Sequence, residues 1–298
     1  MKRIILFRYH HNFDRNAEFL KFQKYLNPNI NIYGLYGGPP ENFELSNRIM
    51  HHVLNNNYLL KHSNPTWNWK NSDMSFQVWY NDFGHQLDFD MMHVYEWDLL
   101  YFEPLDNLFK NVPENGLALT GLIPLRKIEA TWYWTRNPEK RKEWEQLMDF
   151  FRKEFNYNHE PMGMLGPGTS LPKSFLESIR HLKIPDLGND ELRIPLLAQA
   201  CGFPMYDTGF YRKWFSKREF RYFNSNSLIV EQGTIEKQLR RRNGRRVFHP
   251  CNQELSLQEL KNLHALIHLN PKPFHHKTLA FTYINKIINR CKSFLLKN

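Results

Sequence analysis

Cysteine is scarce in this sequence, and long apolar runs are absent. The three cysteines, Cys201, Cys251 and Cys291, are odd in number and far apart in the 298 residues, a pattern that supports neither a disulfide framework nor a zinc site. No apolar run approaches the roughly 18 residues of a membrane span. The start, MKRIILFRYHHNFD, lacks the apolar core and cleavage site of a signal peptide. We therefore expect a cytoplasmic protein with reduced cysteines.

The composition indicates a folded protein with a basic surface. Hydrophobic residues make up 41% and aromatic residues 15%, which excludes an intrinsically disordered chain. The net charge of +10 favours acidic partners such as nucleotides, nucleic acid, anionic lipid or anionic glycan. Basic residues concentrate between Arg212 and Arg221 and in the run QLRRRNGRR that ends at Arg246. A solvated basic face explains that charge equally well.

The order of elements predicts an α/β protein. RIILFRY near the start is typical of a buried strand, Asp14 is placed to cap a following helix, and NINIYGLYGG predicts a second strand. Strand, helix, strand indicates a parallel sheet. DMMHVYEWDLLYF and GLALTGLIPL predict further strands, and Asn137 with Pro138 begins an amphipathic helix. Without an internal repeat or linker, we expect one domain over residues 1–265 and an extension over 266–298.

Two carboxylates stand inside an apolar run. In HVYEWDLLYFEPL, residues 93–105, Glu96 and Asp98 flank Trp97. Side chains alternate across a strand, so we expect both acids on one face and Trp97 on the other. Burying two like charges requires a compensating cation, and carboxylate oxygens suit magnesium or manganese. The alternative is an acidic pair at a strand end that faces water.

Three blocks carry a resemblance to a known family. FDMMHVYEWDLLYFEPL, NDELRIPLLAQACGF and RRVFHP resemble, in kind and order, motifs of the nucleotide-sugar glycosyltransferases of the GT-A fold, bacterial members in particular. Their D-x-D motif, here with Glu first, ends a central strand and holds a divalent ion. The resemblance implies a Rossmann-like, mainly parallel central sheet flanked by helices. It implies sugar transfer from a nucleoside-diphosphate donor, of UDP or GDP type, to a glycan, lipid-linked or protein acceptor in bacterial surface glycan synthesis.

The resemblance also implies roles for the metal ligands. Asp98 would bind Mn²⁺ or Mg²⁺ directly, and Glu96 would bind it through water or accept from donor hydroxyls. His249, in VFHP, resembles the late histidine that completes the metal or diphosphate site in many family members, although a structural histidine is the alternative. Arg245 and Arg246 are candidates to clamp the diphosphate, under a flexible lid formed by residues 223–247. Solvated loop charge is the alternative for both arginines.

The block NDELRIPLL suggests a catalytic base. Asn189 or Asp190 is suited to cap a helix, and two adjacent acids at a helix start invite a second role. Similar enzymes use a carboxylate here to bind or deprotonate the acceptor hydroxyl. Asp190 is the first candidate and Glu191 the second, with pure capping as the alternative. A base here implies in-line displacement with inversion; retention stays open.

Further donor-binding candidates lie at strand ends. Arg8, Tyr9 and His10 follow the first strand, where family members hold the nucleobase, and an aromatic ring or planar cation there can stack on it. We carry forward Tyr9 and His10, with Tyr36 at the end of the second strand. Core packing is the alternative for these aromatic residues. Lys70, in TWNWKNSD, is a candidate contact to donor phosphate or sugar.

Two other stretches have alternative interpretations. MLGPGTSLPKSF, residues 164–175, has the composition of a loop that approaches a ligand closely, or of an ordinary turn. The last segment, KPFHHKTLAFTYINKIINRCKSFLLKN, is basic and amphipathic. It predicts either peripheral contact with the anionic inner face of a membrane, where lipid-linked acceptors lie, or packing onto the domain.

A nucleic-acid-binding protein without catalysis is the rival class. RKWFSKREFRYF, residues 212–223, interleaves basic and aromatic residues as such proteins do. That class leaves Glu96 and Asp98 unexplained, and neither an RNP pattern nor zinc-finger spacing occurs. A metal-dependent phosphodiesterase would require more clustered Asp and His ligands.

Overall fold

The computed structural model describes residues 1–61 and 64–268. The strands are β1 (Arg3–Tyr9), β2 (Asn31–Tyr36), β3 (Asn56–Leu59), β4 (Met91–Glu96), β5 (Leu100–Tyr101), β6 (Leu117–Pro124), β7 (Met162–Pro172), β8 (Met205–Asp207) and β9 (Val247–Phe248). The α-helices are α1 (Phe13–Leu26), α2 (Phe43–Met50), α3 (Pro65–Lys70), α4 (Ser72–Asp82), α5 (Leu105–Leu108), α6 (Tyr133–Arg136), α7 (Pro138–Phe155), α8 (Lys173–Ile179), α9 (Asp190–Ala200), α10 (Gln232–Leu239) and α11 (Leu257–His268). The short 3₁₀ helices are Pro40–Asn42, Gly84–Gln86, Leu125–Lys127 and Glu219–Arg221.

A seven-stranded, mostly parallel sheet forms the centre of the molecule. Its strand order is β3-β2-β1-β4-β7-β6-β8, and β7 is the strand that runs antiparallel to both neighbours. Helices flank this sheet, and β5 with β9 forms a separate two-stranded antiparallel sheet. The predicted α/β class, with a mainly parallel central sheet flanked by helices, is confirmed.

Strand β1 shows why the sheet lies in the interior. Ile4 and Leu6 pack into one apolar cluster, whereas Ile5, Phe7 and Tyr9 pack into another. Alternate side chains of a strand point to opposite faces, so these two clusters cover both faces. A parallel sheet needs that double cover, which explains the nearly continuous apolar sequence of its strands.

Two predicted helix starts have different outcomes. Asn137 caps α7 as predicted, because its Oδ1 accepts hydrogen bonds from the backbone N–H groups of Glu139, at 3.1 Å, and Lys140, at 3.3 Å. The expected cap of α1 is wrong. Asn12, in a left-handed conformation, precedes that helix, and Asp14 lies within its first turn, where a carboxylate favours the positive end of the helix dipole.

The strand predicted through Asp98 ends two residues earlier. Pairing of β4 with β1 stops where Arg8 faces Glu96, and Trp97 and Asp98 form a turn closed by a 3.0 Å hydrogen bond from the Leu99 N–H to the Glu96 carbonyl. The expected alternation of side chains along a strand therefore does not determine the position of the Asp98 side chain. The chain turns away because β1 itself ends at Tyr9, leaving no partner for a longer β4.

Two segments predicted as loops contain regular structure. MLGPGTSLP lies in β7, paired between β4 and β6 with irregular register. Pairing on both sides offsets the poor strand propensity of its glycines and proline. The proposed lid, residues 223–247, contains α10, whose Ile235 and Leu239 are buried in an apolar cluster. Residues Gln232–Leu239 of that segment thus form a packed helix and not a flexible loop.

The predicted boundary between residues 265 and 266 falls inside α11. The remainder of the extension, including the whole amphipathic segment and Cys291, lies outside the described residues, so the domain division stays a prediction. Among the helices of the described part, none is long and apolar enough to cross a bilayer.

Candidate active site

Glu96, Asp98 and His249 converge at one end of the central sheet. One potential ligand atom from each lies within 4.8 Å of those of the other two. Glu96 is the last residue of β4, Asp98 lies in the turn that follows, and His249 directly follows β9. The register of the small sheet, in which Leu100 faces Phe248, brings the two chain segments together. The sheet places this cluster at the carboxyl end of a central strand, where α/β proteins commonly bind ligands.

Asp98 has an unsatisfied oxygen. The residue is 9% exposed, and its buried Oδ1 has no hydrogen-bond partner within the described residues. Nε2 of His249 lies 3.3 Å from this oxygen. Burial acts to raise the pKa of Asp98, but the facing His249 and the nearby Arg15 lower it overall. The carboxylate is therefore ionised near neutral pH and still able to accept a ligand.

A backbone carbonyl orients His249. Its Nδ1 donates to the carbonyl oxygen of Asn224 at 2.7 Å, which directs Nε2 towards Asp98. Burial acts to lower the pKa of His249, but Asp98 and then Glu96 raise it overall. Such a contact, which fixes the orientation of the ring, is typical of metal-binding histidines.

Arg8 compensates Glu96. Its Nη1 donates to Glu96 Oε1 at 2.8 Å and its Nη2 donates to the Asn68 carbonyl at 2.8 Å. Arg8 also lies close enough to Asp190 to stabilise its ionised form. The sequence interpretation passed over Arg8 in favour of its neighbours, although alternation along β1 puts Arg8 and Tyr9 on opposite faces.

The two candidate bases lie at the start of α9. Oδ2 of Asp190 accepts from the Ser72 hydroxyl, and Oδ1 accepts from the Glu191 N–H at 2.9 Å. Oε1 of Glu191 accepts from the Gly166 N–H of β7 at 3.0 Å, and Oε2 accepts from Asn189 Nδ2 at 3.3 Å. The N-cap residue, Asn189, makes no side-chain capping bond. Glu191 thus fastens α9 to the sheet, whereas Asp190 bonds to Ser72 at the start of α4 and to the first turn of its own helix.

Burial dominates the electrostatics of this acidic pair. It raises the pKa of Asp190, with Asp73 adding to the increase, and it raises the pKa of Glu191, with Asp190 adding to the increase. A buried carboxyl group with a raised pKa is suited to accept a proton near neutral pH. Buried Asp73 forms an ion pair with the fully buried Arg193, with the atoms Oδ1 and Nη2 2.7 Å apart.

The cluster at the sheet end has the donor set of a divalent-cation site. Two carboxylates and one imidazole suit Mn²⁺, and the carboxylates suit Mg²⁺. Asp98 Oδ1 is the buried acceptor that such an ion would satisfy. Glu96 has one oxygen bound to Arg8 and a second to offer.

The residues predicted to contact the nucleobase do not lie together. Tyr9 and Tyr36 are buried with ring centroids 5.2 Å apart, and burial raises the pKa of Tyr9 to about 12. The Tyr9 hydroxyl donates to Ser46 Oγ at 3.2 Å. His10 is exposed and lies 5.3 Å from the Trp97 ring, measured between centroids. The structure therefore places His10 beside the turn that carries Asp98, and both tyrosines in the core.

The predicted phosphate contacts bind groups of the protein itself. Lys70 Nζ lies 3.0 Å from Glu143 Oε2 and 3.4 Å from Asp186 Oδ1. Arg245 is buried, forms an ion pair with Glu219 and donates to the Phe210 carbonyl at 2.7 Å.

Arg246 is likewise buried and donates to the carbonyls of Gln238, at 3.1 Å, and Arg241, at 3.0 Å. The structure thus assigns Lys70, Arg245 and Arg246 to internal contacts, and none of the three belongs to the cluster of Glu96, Asp98 and His249.

Comparison with known proteins gives structural likenesses only. No protein-family model and no curated protein matches the sequence. The galactosyltransferase LgtC, in complex with donor and acceptor sugar analogues, is 14% identical, with 61% of this chain and 60% of that chain covered and a TM-score of 0.34. The glycosyltransferase GlyE of Streptococcus pneumoniae is 18% identical, with 54% and 41% covered and a TM-score of 0.26. The bifunctional glycosyltransferase WbbM is 8% identical, with 67% and 37% covered and a TM-score of 0.36.

Proposed function

We propose that this protein is a metal-dependent glycosyltransferase of the GT-A type, which moves a sugar from a nucleoside-diphosphate donor to an acceptor hydroxyl. The observation that carries the proposal is the convergence of Glu96, Asp98 and His249 at the end of a central strand. Asp98 Oδ1 is buried there without a hydrogen-bond partner in the described part of the chain. A nucleic-acid-binding role would leave that carboxylate unexplained.

In this proposal Asp98 and His249 bind Mn²⁺ or Mg²⁺ directly. Glu96, oriented by Arg8, binds the ion through water or accepts from the donor's hydroxyl groups. The ion would neutralise the negative charge that grows on the departing diphosphate oxygen. The Asn224 carbonyl holds a proton on Nδ1 of His249 and so leaves Nε2 as the coordinating nitrogen.

Asp190 is the proposed base. Its raised pKa suits removal of a proton from the acceptor hydroxyl as that oxygen bonds to the anomeric carbon. In-line displacement by the activated hydroxyl inverts the anomeric configuration. Glu191, whose pKa is also raised, is the second candidate, and its bond to the Gly166 N–H holds α9 against β7.

The donor and acceptor follow from the same proposal. We propose a UDP or GDP sugar as the donor and a glycan, lipid-linked or protein hydroxyl as the acceptor, in bacterial surface glycan synthesis. The protein would work in the cytoplasm or at the inner face of the membrane. The net charge of +10 is consistent with anionic substrates of this kind.

Thermal unfolding with a panel of nucleoside diphosphates and their sugars, with and without Mn²⁺, tests the proposal. We expect one nucleotide to raise the unfolding temperature only when Mn²⁺ is present, and Asp98→Asn to abolish that shift. Asp149→Asn, at an exposed position of α7, is the matched control and should retain it. If no nucleotide shifts the folded wild-type protein, the transferase proposal is wrong.

A further inference from the structure

A cavity of about 430 Å³ lies in the basic part of the chain. None of the residues Glu96, Asp98 and His249 lines it. Its volume is within the range of about 300–1,000 Å³ that is usual for small-molecule sites. Five cationic side chains line the cavity: Lys217, Arg218, Arg221, Lys237 and Arg241.

The cavity has two walls, each a short helical stretch. One wall includes Thr234, Lys237, Gln238 and Arg241, a spacing that puts successive residues on one face of a helix; α10 provides all but the last. The other wall comprises Lys217, Arg218, Arg221 and Tyr222, in and beside the 3₁₀ helix Glu219–Arg221. Basic residues that are separate in the sequence thus face a common space.

Buried contacts join the two walls. Arg245 forms an ion pair with Glu219, in the 3₁₀ helix behind one wall, and its backbone N–H donates to Oε1 of Gln238 in the other wall at 3.1 Å. Gln238 is 6% exposed. Gly244 packs so closely on the Gln238 carbonyl that a Cβ would lie 1.8 Å from that oxygen. The role of Arg245 is therefore to hold the cavity in shape.

The five cations are exposed to solvent, and no side chain of the described residues compensates them. No acidic residue is among those that line it. Of the two acids adjacent in sequence to lining residues, Glu219 is bound to Arg245 and Glu236 accepts from Gln232. No hydrogen bond or ion pair occupies the side chains of the five cations within the described residues. Like charges around one space repel each other, and a bound anion would relieve that repulsion.

We propose that this cavity binds a phosphorylated group with at least two negative charges, a phosphomonoester or a diphosphate. Arginine guanidinium groups match phosphate oxygens in a bidentate geometry, and lysines add compact charge. The hydroxyl groups of Tyr222 and Thr234, both lining residues, are further donors. Binding here requires neither the divalent cation nor sugar transfer, so the proposal does not rest on the proposed function.

Titration calorimetry of the full chain with inorganic pyrophosphate, with chelator present to remove divalent cations, tests the proposal. Arg221→Gln combined with Lys237→Gln removes one cation from each wall. We expect this double variant to bind at least about tenfold more weakly, because it loses one charge-assisted contact from each wall. Lys110→Gln combined with Lys142→Gln, at exposed positions outside the cavity, makes the same change in net charge and should bind within about twofold of wild type.

Asp98→Asn separates this site from the candidate active site. We expect this variant to bind pyrophosphate with unchanged affinity in the presence of chelator. Equal weakening in the two double variants, loss of binding in Asp98→Asn, or no binding by folded wild-type protein would each overturn the proposal.

Vesicles of phosphatidylcholine with phosphatidic acid, compared with phosphatidylcholine alone, identify the source of the phosphate group. If the vesicles with phosphatidic acid capture the protein, pyrophosphate reverses that capture and Arg221→Gln with Lys237→Gln abolishes it, the phosphate group is that of a lipid headgroup. Pyrophosphate binding without vesicle capture would identify a soluble phosphorylated compound.

Discussion

Arg8 and Glu96 face each other at the ends of two adjacent parallel strands, joined by a 2.8 Å hydrogen bond from Nη1 to Oε1. Arg8 also stabilises the ionised form of Asp190. One guanidinium group therefore interacts with a proposed cation ligand and with the proposed base. A change at Arg8 should alter both parts of the candidate site, and the two effects can be measured separately.

Arg8→Gln should destabilise the metal-free protein by about 1–3 kcal/mol, because both side chains of the ion pair are mostly buried and Glu96 would lose its compensating charge. Mn²⁺ should raise the unfolding temperature of this variant more than that of wild type, since the ion would then compensate Glu96. Arg141→Gln breaks an exposed pair and should change stability by less than about 0.5 kcal/mol. Equal Mn²⁺ stabilisation of Arg8→Gln and wild type would argue against a role for Glu96 at the cation.

Asn224→Ala should disturb His249 from a distance. The Asn224 side chain is fully buried; it donates to the carbonyls of Phe220 and Leu228, each at 2.8 Å, and accepts from the Asn226 N–H at 2.9 Å. These bonds position the carbonyl that orients His249. We expect a loss of about 2–4 kcal/mol in the free energy of unfolding and at least about tenfold weaker Mn²⁺ binding by calorimetry.

Asn226→Ala is the control for that prediction, because Asn226 is exposed and contacts Asn224 through its backbone. It should retain both stability and Mn²⁺ affinity. If Asn224→Ala loses stability but binds Mn²⁺ as wild type does, the orientation of His249 does not depend on this loop.

Local patterns predicted individual elements but could not predict which residues face each other. The buried apolar run in RIILFRY and the Asn137–Pro138 helix start are encoded over a few residues, and both follow the sequence interpretation. The register that places Arg8 opposite Glu96 joins residues 88 positions apart. Parallel strands pair through long crossovers, so a single sequence contains no local signal for that register.

The glycine-rich segment of β7 shows how tertiary contacts override local propensity. Its glycines predict a loop, yet Gly166 donates its N–H to Glu191, and a Cβ on Gly166 would lie 3.7 Å from Asp190 Oδ2. A Cβ at that distance would make ordinary contact, so space does not require a glycine here. Strand pairing on both sides of β7 and the bond to Glu191 hold this segment in the sheet instead. Gly166 belongs to one motif identified in the sequence and Asp190 and Glu191 to another, and the sequence alone does not show that the two motifs are in contact.

The buried Asp73–Arg193 pair should be strongly coupled. Two hydrogen bonds of 2.7 Å join the carboxylate to Nε and Nη2, and neither residue is more than 2% exposed. Asp73→Ala should cost about 3–5 kcal/mol in urea unfolding, because it leaves a buried guanidinium uncompensated. Asp73→Ala combined with Arg193→Met should recover about 2 kcal/mol of that loss. Strict additivity of the two single changes would contradict this coupling.

The stability advantage of Glu191→Gln over wild type should grow as the pH rises. Burial, followed by repulsion from Asp190, raises the pKa of Glu191 in the folded state, whereas an unfolded glutamate has a pKa of about 4.3. The unfolded wild type therefore ionises first, and wild-type stability falls as pH increases above about 4.3. The amide avoids this cost and can still accept from the Gly166 N–H.

Urea unfolding at about pH 5 and at about pH 8 measures this effect. Between the two, the advantage of Glu191→Gln in the free energy of unfolding should grow by about 1–2 kcal/mol. Glu145→Gln, at an exposed position of α7, should show no such trend. A stability difference that does not change with pH would mean that Glu191 is ionised in the folded protein throughout this range, which would weaken its candidacy as a proton acceptor.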